Sequence, residues 1–127
     1  MSTNLSTVTV QHYHDSSANK LIVQTTTPTN KANFRAQGMH GDPTVNAQGD
    51  LELSVLLNTD PSRAGLPFDT PVVHYLELDT TSLNLSSAFM IHVTAYVEDT
   101  LNSSDLRKIG DSLGESATSD DGTRPGI

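Results

Sequence analysis

Five histidines, fifteen carboxylates and a scatter of serines are the side chains in this 127-residue sequence with the chemistry to bind or react; there is no cysteine. His12-Tyr13-His14-Asp15 sets two imidazoles two residues apart, which on a strand puts both on one face, a spacing that some strand-borne metal sites use. A metal site needs further ligands. His40, Asp42, His74 and His92 are candidates for a third, but no spacing ties any of them to the pair, which reads more simply as polar residues near a hairpin tip. Serines are plentiful, yet no G-x-S-x-G elbow positions a nucleophile, and neither G-x-x-x-x-G-K-[ST] nor G-x-G-x-x-G is present to cradle phosphate. Glu52, Glu77 and Glu98 fall on the polar sides of strand patterns, and Asp120-Asp121 lie near the end of the chain; solvated surface suits them better than acid–base work. The expectation is a protein that is not an enzyme and holds no cofactor or metal, with calcium between subunits the one metal role left to the acidic residues.

Composition bounds the partners. Seven Lys and Arg against fifteen Asp and Glu give a net charge of −8, which repels phosphate at long range. The basic residues, Lys20, Lys31, Arg35, Arg63, Arg107, Lys108 and Arg124, form no run. The lack of cysteine excludes disulfides, thiolate zinc sites and a cysteine nucleophile. No apolar run approaches the roughly 20 residues of a membrane span, and Met1-Ser2-Thr3-Asn4 is unlike a signal peptide, so a soluble cytosolic protein is expected. The length suits one domain with a core of its own.

Thr, Ser, Val and Asn outweigh helix formers, so strands and turns should dominate. Period-two alternation at 5–13, turn residues at 15–19 and a β-branched run at 20–26 predict a hairpin over 5–27. A meander over 32–98 follows, with a weak strand at 32–38, a loop at 39–49 and clear alternation at 50–58, 71–79 and 88–98. Leu106, Ile109 and Leu113 then recur at helical spacing behind Asn102, a candidate N-cap, and predict a helix over 102–115. One domain would span 1–116, with 117–127 a mobile tail. A single short helix covers only part of the apolar face of three strands, which implies a homodimer whose helix lies on the sister sheet through Leu106, Ile109 and Leu113.

Several stretches resemble the coat proteins of single-stranded RNA bacteriophages (leviviruses): Leu5-Ser6-Thr7-Val8-Thr9-Val10 before a turn, Pro28-Thr29-Asn30 after the second strand, Leu51-Glu52-Leu53-Ser54-Val55 followed by Asp60-Pro61-Ser62, and His92-Val93-Thr94-Ala95-Tyr96-Val97 leading through Asn102-Ser103-Ser104-Asp105 into Leu106-Arg107-Lys108-Ile109. The resemblance, over roughly 5–115, implies an α+β, mainly β fold: an N-terminal hairpin, an antiparallel meander and a C-terminal helix packed on a partner's sheet. It implies interlocked dimers that assemble into an icosahedral shell around genomic RNA, a virion protein assembled in the bacterial cytoplasm, with RNA-hairpin binding that represses translation. The RNA-facing sheet surface would hold Glu52, Ser54, Tyr75, Glu77, Met90, His92, Thr94 and Tyr96, helped by Lys31 and Arg35. The loop between dimers would be Thr80, Thr81, Ser82, Leu83, Asn84, Leu85, Ser86 and Ser87. The sequence departs from the family in lacking a second helix and in placing carboxylates where the family tends to carry Lys or Arg. Two other classes compete: a small β-rich ligand- or protein-binding module using Tyr75, His92 and Tyr96, and a small hydrolase or metal enzyme built on His12 and His14.

Overall fold

A computed structural model of the chain describes residues 6–29, 34–67, 70–98 and 106–126. Nine strands make up nearly all of its regular structure: β1 (Ser6–Asp15), β2 (Lys20–Thr27), β3 (Phe34–Met39), β4 (Thr44–Val45), β5 (Leu51–Thr59), β6 (Val72–Asp79), β7 (Ala88–Glu98), β8 (Leu106–Ser112) and β9 (Glu115–Thr118). The one helical element described is a 3-10 turn, Pro61–Arg63, capped by the Asp60 side chain.

The strands form one sheet in the order β3-β5-β7-β8-β1-β2-β6, with β4 added to β5 and β9 to β7. β1 and β2 pair as an antiparallel hairpin whose tight turn uses Asn19 at φ 51° and the Asp15 carboxylate, which accepts from the Ser17 and Ala18 amides. β2 continues antiparallel to β6, whereas β5–β7 and β1–β8 are parallel pairs. The terminal strands β3 and β6 approach each other, and His74 on β6 donates from Nε2 to the Leu56 carbonyl of β5 at 3.1 Å. The sheet is therefore nearly closed and barrel-like.

Alternation decides what lies inside. Leu51, Leu53, Val55 and Leu57 on β5 and Phe89, Ile91, Val93, Ala95 and Val97 on β7 point to one core with Val8, Val10, Leu21, Val23, Val72, Leu76 and Leu78. Most polar residues alternate outward, as period-two patterning requires, whereas His12 and His14 on β1, Thr25 and Thr27 on β2 and His74 on β6 take inner positions.

Two expectations are corrected. The central strands are not an antiparallel meander, because β6 leaves its sequence neighbours to pair with β2 while β5 and β7 run parallel. The C-terminal helix does not form, so the class is nearly all β rather than α+β: 106–112 is strand β8, 115–118 is strand β9, and Asn102 lies outside the described residues. Its three apolar residues gave a helix only weak support, and Gly110 and Gly114 lower helix propensity by up to about 1 kcal/mol each. In the strand, β8 gains ladder partners on both edges, β7 and β1. Gly110 suits this close pairing, since a Cβ there would stand 2.9 Å from the Ser6 carbonyl oxygen.

Without that helix, the dimer surface read from its spacing loses its basis. Leu106 is 39 % exposed and Leu113 87 %, while Ile109 packs against the chain's own core. The apolar faces of β5, β6 and β7, expected to need a sister subunit, are buried within one chain. The described part of the tail is docked: Ala117 is 1 % exposed, Gly122 bridges to Tyr13, and Arg124 stacks 5.1 Å from the Tyr13 ring centroid.

The closed core makes a contrast testable by urea denaturation: Leu21→Ala should lower unfolding free energy by about 2–5 kcal/mol, and Leu113→Ala should stay within about 0.5 kcal/mol of the parent.

Candidate functional site

The outer face of β5 and β7 carries a group of polar side chains gathered around a groove. Their parallel register sets Glu52 beside His92, Ser54 beside Thr94 and Leu56 beside Tyr96. Beyond β3, which holds Gly38 at φ 122°, the chain bulges at Gly41, φ 83°, and continues in the same direction along β5 as β4, where Thr44 pairs with Glu52. This bulge places His40 and Asp42 beside the same face; the His40 amide donates to the Ser54 carbonyl at 2.8 Å. A groove of about 390 Å³ results, lined by His40, Asp42, Thr44, Glu52, Leu53, Ser54, His92 and Thr94. The His40 and Tyr96 rings meet with centroids 5.5 Å apart at 53°.

Neighbouring elements fix two of the lining side chains. Gly114, at φ 96°, passes so close to His92 and Met90 that a Cβ would stand 2.9 Å from His92 Cε1 and from Met90 Cε. Thr94 donates to Asp111 at 3.1 Å, and Asp111 is in turn bridged to Lys108 at 2.6 Å, which raises the lysine's pKa through that hydrogen bond. Among the described residues the lining carries two carboxylates, two imidazoles and three hydroxyls, and no Lys or Arg.

Of the surface residues expected to act together, Glu52, Ser54, His92 and Thr94 line this groove, Tyr96 flanks it, and Met90 lies on the same face of β7. Tyr75 and Glu77 are on β6, at the other end of the strand order, where Glu77 pairs with Lys20 at 2.9 Å and has its pKa lowered by that contact. Arg35 pairs with Asn58, six positions along β5 from Glu52 or about 20 Å, and sits 4.0 Å from Asp60. Lys31 lies outside the described residues. Loop 80–87 is tied to its own chain: Leu83 and Leu85 pack on the core, the Thr80 amide donates to Asn19 and the Ser86 amide to Gly49.

His40 and Asp42 were visible in sequence only as distant metal candidates, and Thr44 not at all. Their signal is His40-Gly41-Asp42-Pro43-Thr44, a polar bulge between two strands that follow one another along β5, which reads locally as loop.

His12 and His14 point inward and serve the C-terminal segment. His12 hydrogen-bonds Glu115 through Nδ1 and Asp121 through Nε2, the latter at 2.7 Å. His14 Nδ1 meets the Thr118 carbonyl at 2.9 Å, its ring edge on Phe89, and its amide donates to the Asp121 carbonyl. Asp120 accepts from the Ser16 amide and hydroxyl. The pair that suggested a metal or a hydrolase thus clamps β9 and residues 120–122 along β1. Among the described residues, no group of three or more His, Asp or Glu is placed to hold a metal ion. No family model, curated protein or solved structure matches the chain.

Two buried histidines carry opposed pH dependences. Burial alone would lower the His12 pKa, but hydrogen bonds to Glu115 and Asp121 and their charges outweigh it, so the pKa is raised above 6.5. His74 is lowered below 6.5 by burial, only partly offset by its bond to Leu56. The His12 contribution to stability is full below the unfolded value and is lost as pH rises through the folded one; the His74 contribution is full above the unfolded value and is lost as pH falls towards the folded one. Urea midpoints across about pH 5–8 should therefore rise with pH in His12→Gln, where His74 remains, and fall with pH in His74→Gln, where His12 remains. Slopes of the same sign in the two variants would contradict the assignment.

Proposed function

We propose that this chain is a non-catalytic binding domain whose groove on β4, β5 and β7 takes a neutral, hydroxyl-rich ligand of the saccharide class. The observation that carries the reading is the groove's donor set: Asp42 and Glu52 beside Ser54, Thr44 and Thr94, flanked by the His40–Tyr96 ring pair, with no Lys or Arg among the described lining residues. Carboxylates form strong hydrogen bonds with ligand hydroxyls, and aromatic rings offer flat faces to the C–H side of a sugar. The same carboxylates, in a chain of net charge −8, repel phosphate and carboxylate ligands. Glycan-array screening followed by calorimetric titration tests this. A retained saccharide whose affinity falls about 10- to 100-fold in Glu52→Gln supports it; no retained saccharide, or affinity unchanged in both Glu52→Gln and His92→Ala, contradicts it.

The second reading is the self-assembling coat protein enclosing genomic RNA, and exposed Leu106 and Leu113 at the two ends of β8 favour it as apolar side chains that a neighbouring subunit would cover. Size-exclusion chromatography with light scattering, recording absorbance at 260 and 280 nm, separates the two. The binding domain predicts a peak near the 13.6 kDa chain mass. A megadalton peak would favour the coat reading, and its absorbance ratio would tell whether nucleic acid is enclosed.

A further inference from the structure

The barrel interior is not uniformly apolar. Thr25 and Thr27 on β2 and His74 on β6 are buried, with His74 2 % exposed, and three of their polar atoms, Thr25 Oγ1, Thr27 Oγ1 and His74 Nδ1, make no hydrogen bond to any protein group. They are neighbours. Thr25 and His74 are direct cross-strand partners on the inner face, which sets their Cβ atoms about 5 Å apart, and Thr27 follows two residues along the same face of β2.

Their donor and acceptor roles are complementary. His74 Nε2 is committed as donor to the Leu56 carbonyl at 3.1 Å, so a neutral ring presents an unprotonated Nδ1, an acceptor. Burial, which lowers the His74 pKa, keeps the ring neutral at neutral pH. Each threonine hydroxyl offers one proton and two lone pairs. Buried polar groups in folded proteins are nearly always paired, with protein or with ordered water, and a buried water characteristically makes about three hydrogen bonds to groups otherwise unpaired.

We propose that Thr25, Thr27 and His74 form an internal site for one ordered water molecule, which accepts from the two threonine hydroxyls and donates to His74 Nδ1. The water links β2 to the strand whose other ring nitrogen reaches β5. It thereby joins the sheet to its own seam, where β6 and β3 meet without a hydrogen-bonded ladder among the described residues.

The test uses the full chain, isotopically labelled. Rotating-frame water–protein cross-peaks should appear at the Thr25 and Thr27 methyl groups, and the ¹⁵N spectrum of His74 should show the Nε2–H tautomer with Nδ1 shifted as a hydrogen-bonded acceptor. Thr25→Val and Thr27→Val should each lose the cross-peak at the substituted site and lower Tm by about 3 °C or more. Absence of both cross-peaks from the folded parent chain overturns the site, and needs no variant to fold. A Tm unchanged or raised in both valine variants also overturns it, since hydroxyls without a water are replaced by methyl groups at no loss.

Discussion

The structure depends on one constraint: β1, β2, β5, β6 and β7 each carry an apolar inner face, and no helix among the described residues covers it. A sheet with one oily side must hide it against something. Here it curls until the inner faces of β1, β2, β5, β6 and β7 meet in one core, and His74 spans the place where the two terminal strands come together. Burial of that face is the favourable contribution, and the polar bridges at the seam and at the C-terminal segment decide that the closure has one geometry.

The candidate site lies on the outside. Once the inner positions of β5 and β7 are committed to packing, their alternate positions form a polar face, and the parallel register brings Glu52 and His92, then Ser54 and Thr94, side by side. The bulge between β3 and β4 contributes the groove's second wall, and Gly114 lets the β8–β9 link pass over His92. The clamp on His12 and His14 is a separate matter. It holds the segment that brings β9 against β7, so the histidines that most invite a chemical reading stabilise the support for the groove's outermost strand.

Much of this was legible in the residues, because strand alternation is a local signal: Leu51, Leu53, Val55 and Leu57, or Phe89 through Val97, name their inner faces without any tertiary knowledge. Pairing was not legible. Whether β6 lies beside β5 or β2 depends on contacts distant in sequence, and the parallel β5–β7 pair has no turn to announce it. Leu106, Ile109 and Leu113 show how a three-residue periodicity misleads, since ladder partners on both edges of β8 outweigh a weak local preference. The groove was half legible: Glu52, Ser54, His92 and Thr94 follow from alternation, while His40, Asp42 and Thr44 join them only through the bulge that carries the chain from β3 into β4.

The most direct test of the closed, all-β account is an NMR measurement of cross-strand contacts and amide exchange over residues 106–122. The account predicts contacts between Ala117 and Phe89 and between Tyr13 and Gly122, with slow exchange in β9. Helical i to i+3 contacts across 106–113, with rapid exchange from residue 115 onward, would contradict it: the C-terminal segment would then be a helix and a mobile tail, and the sheet's apolar face would need another chain to cover it.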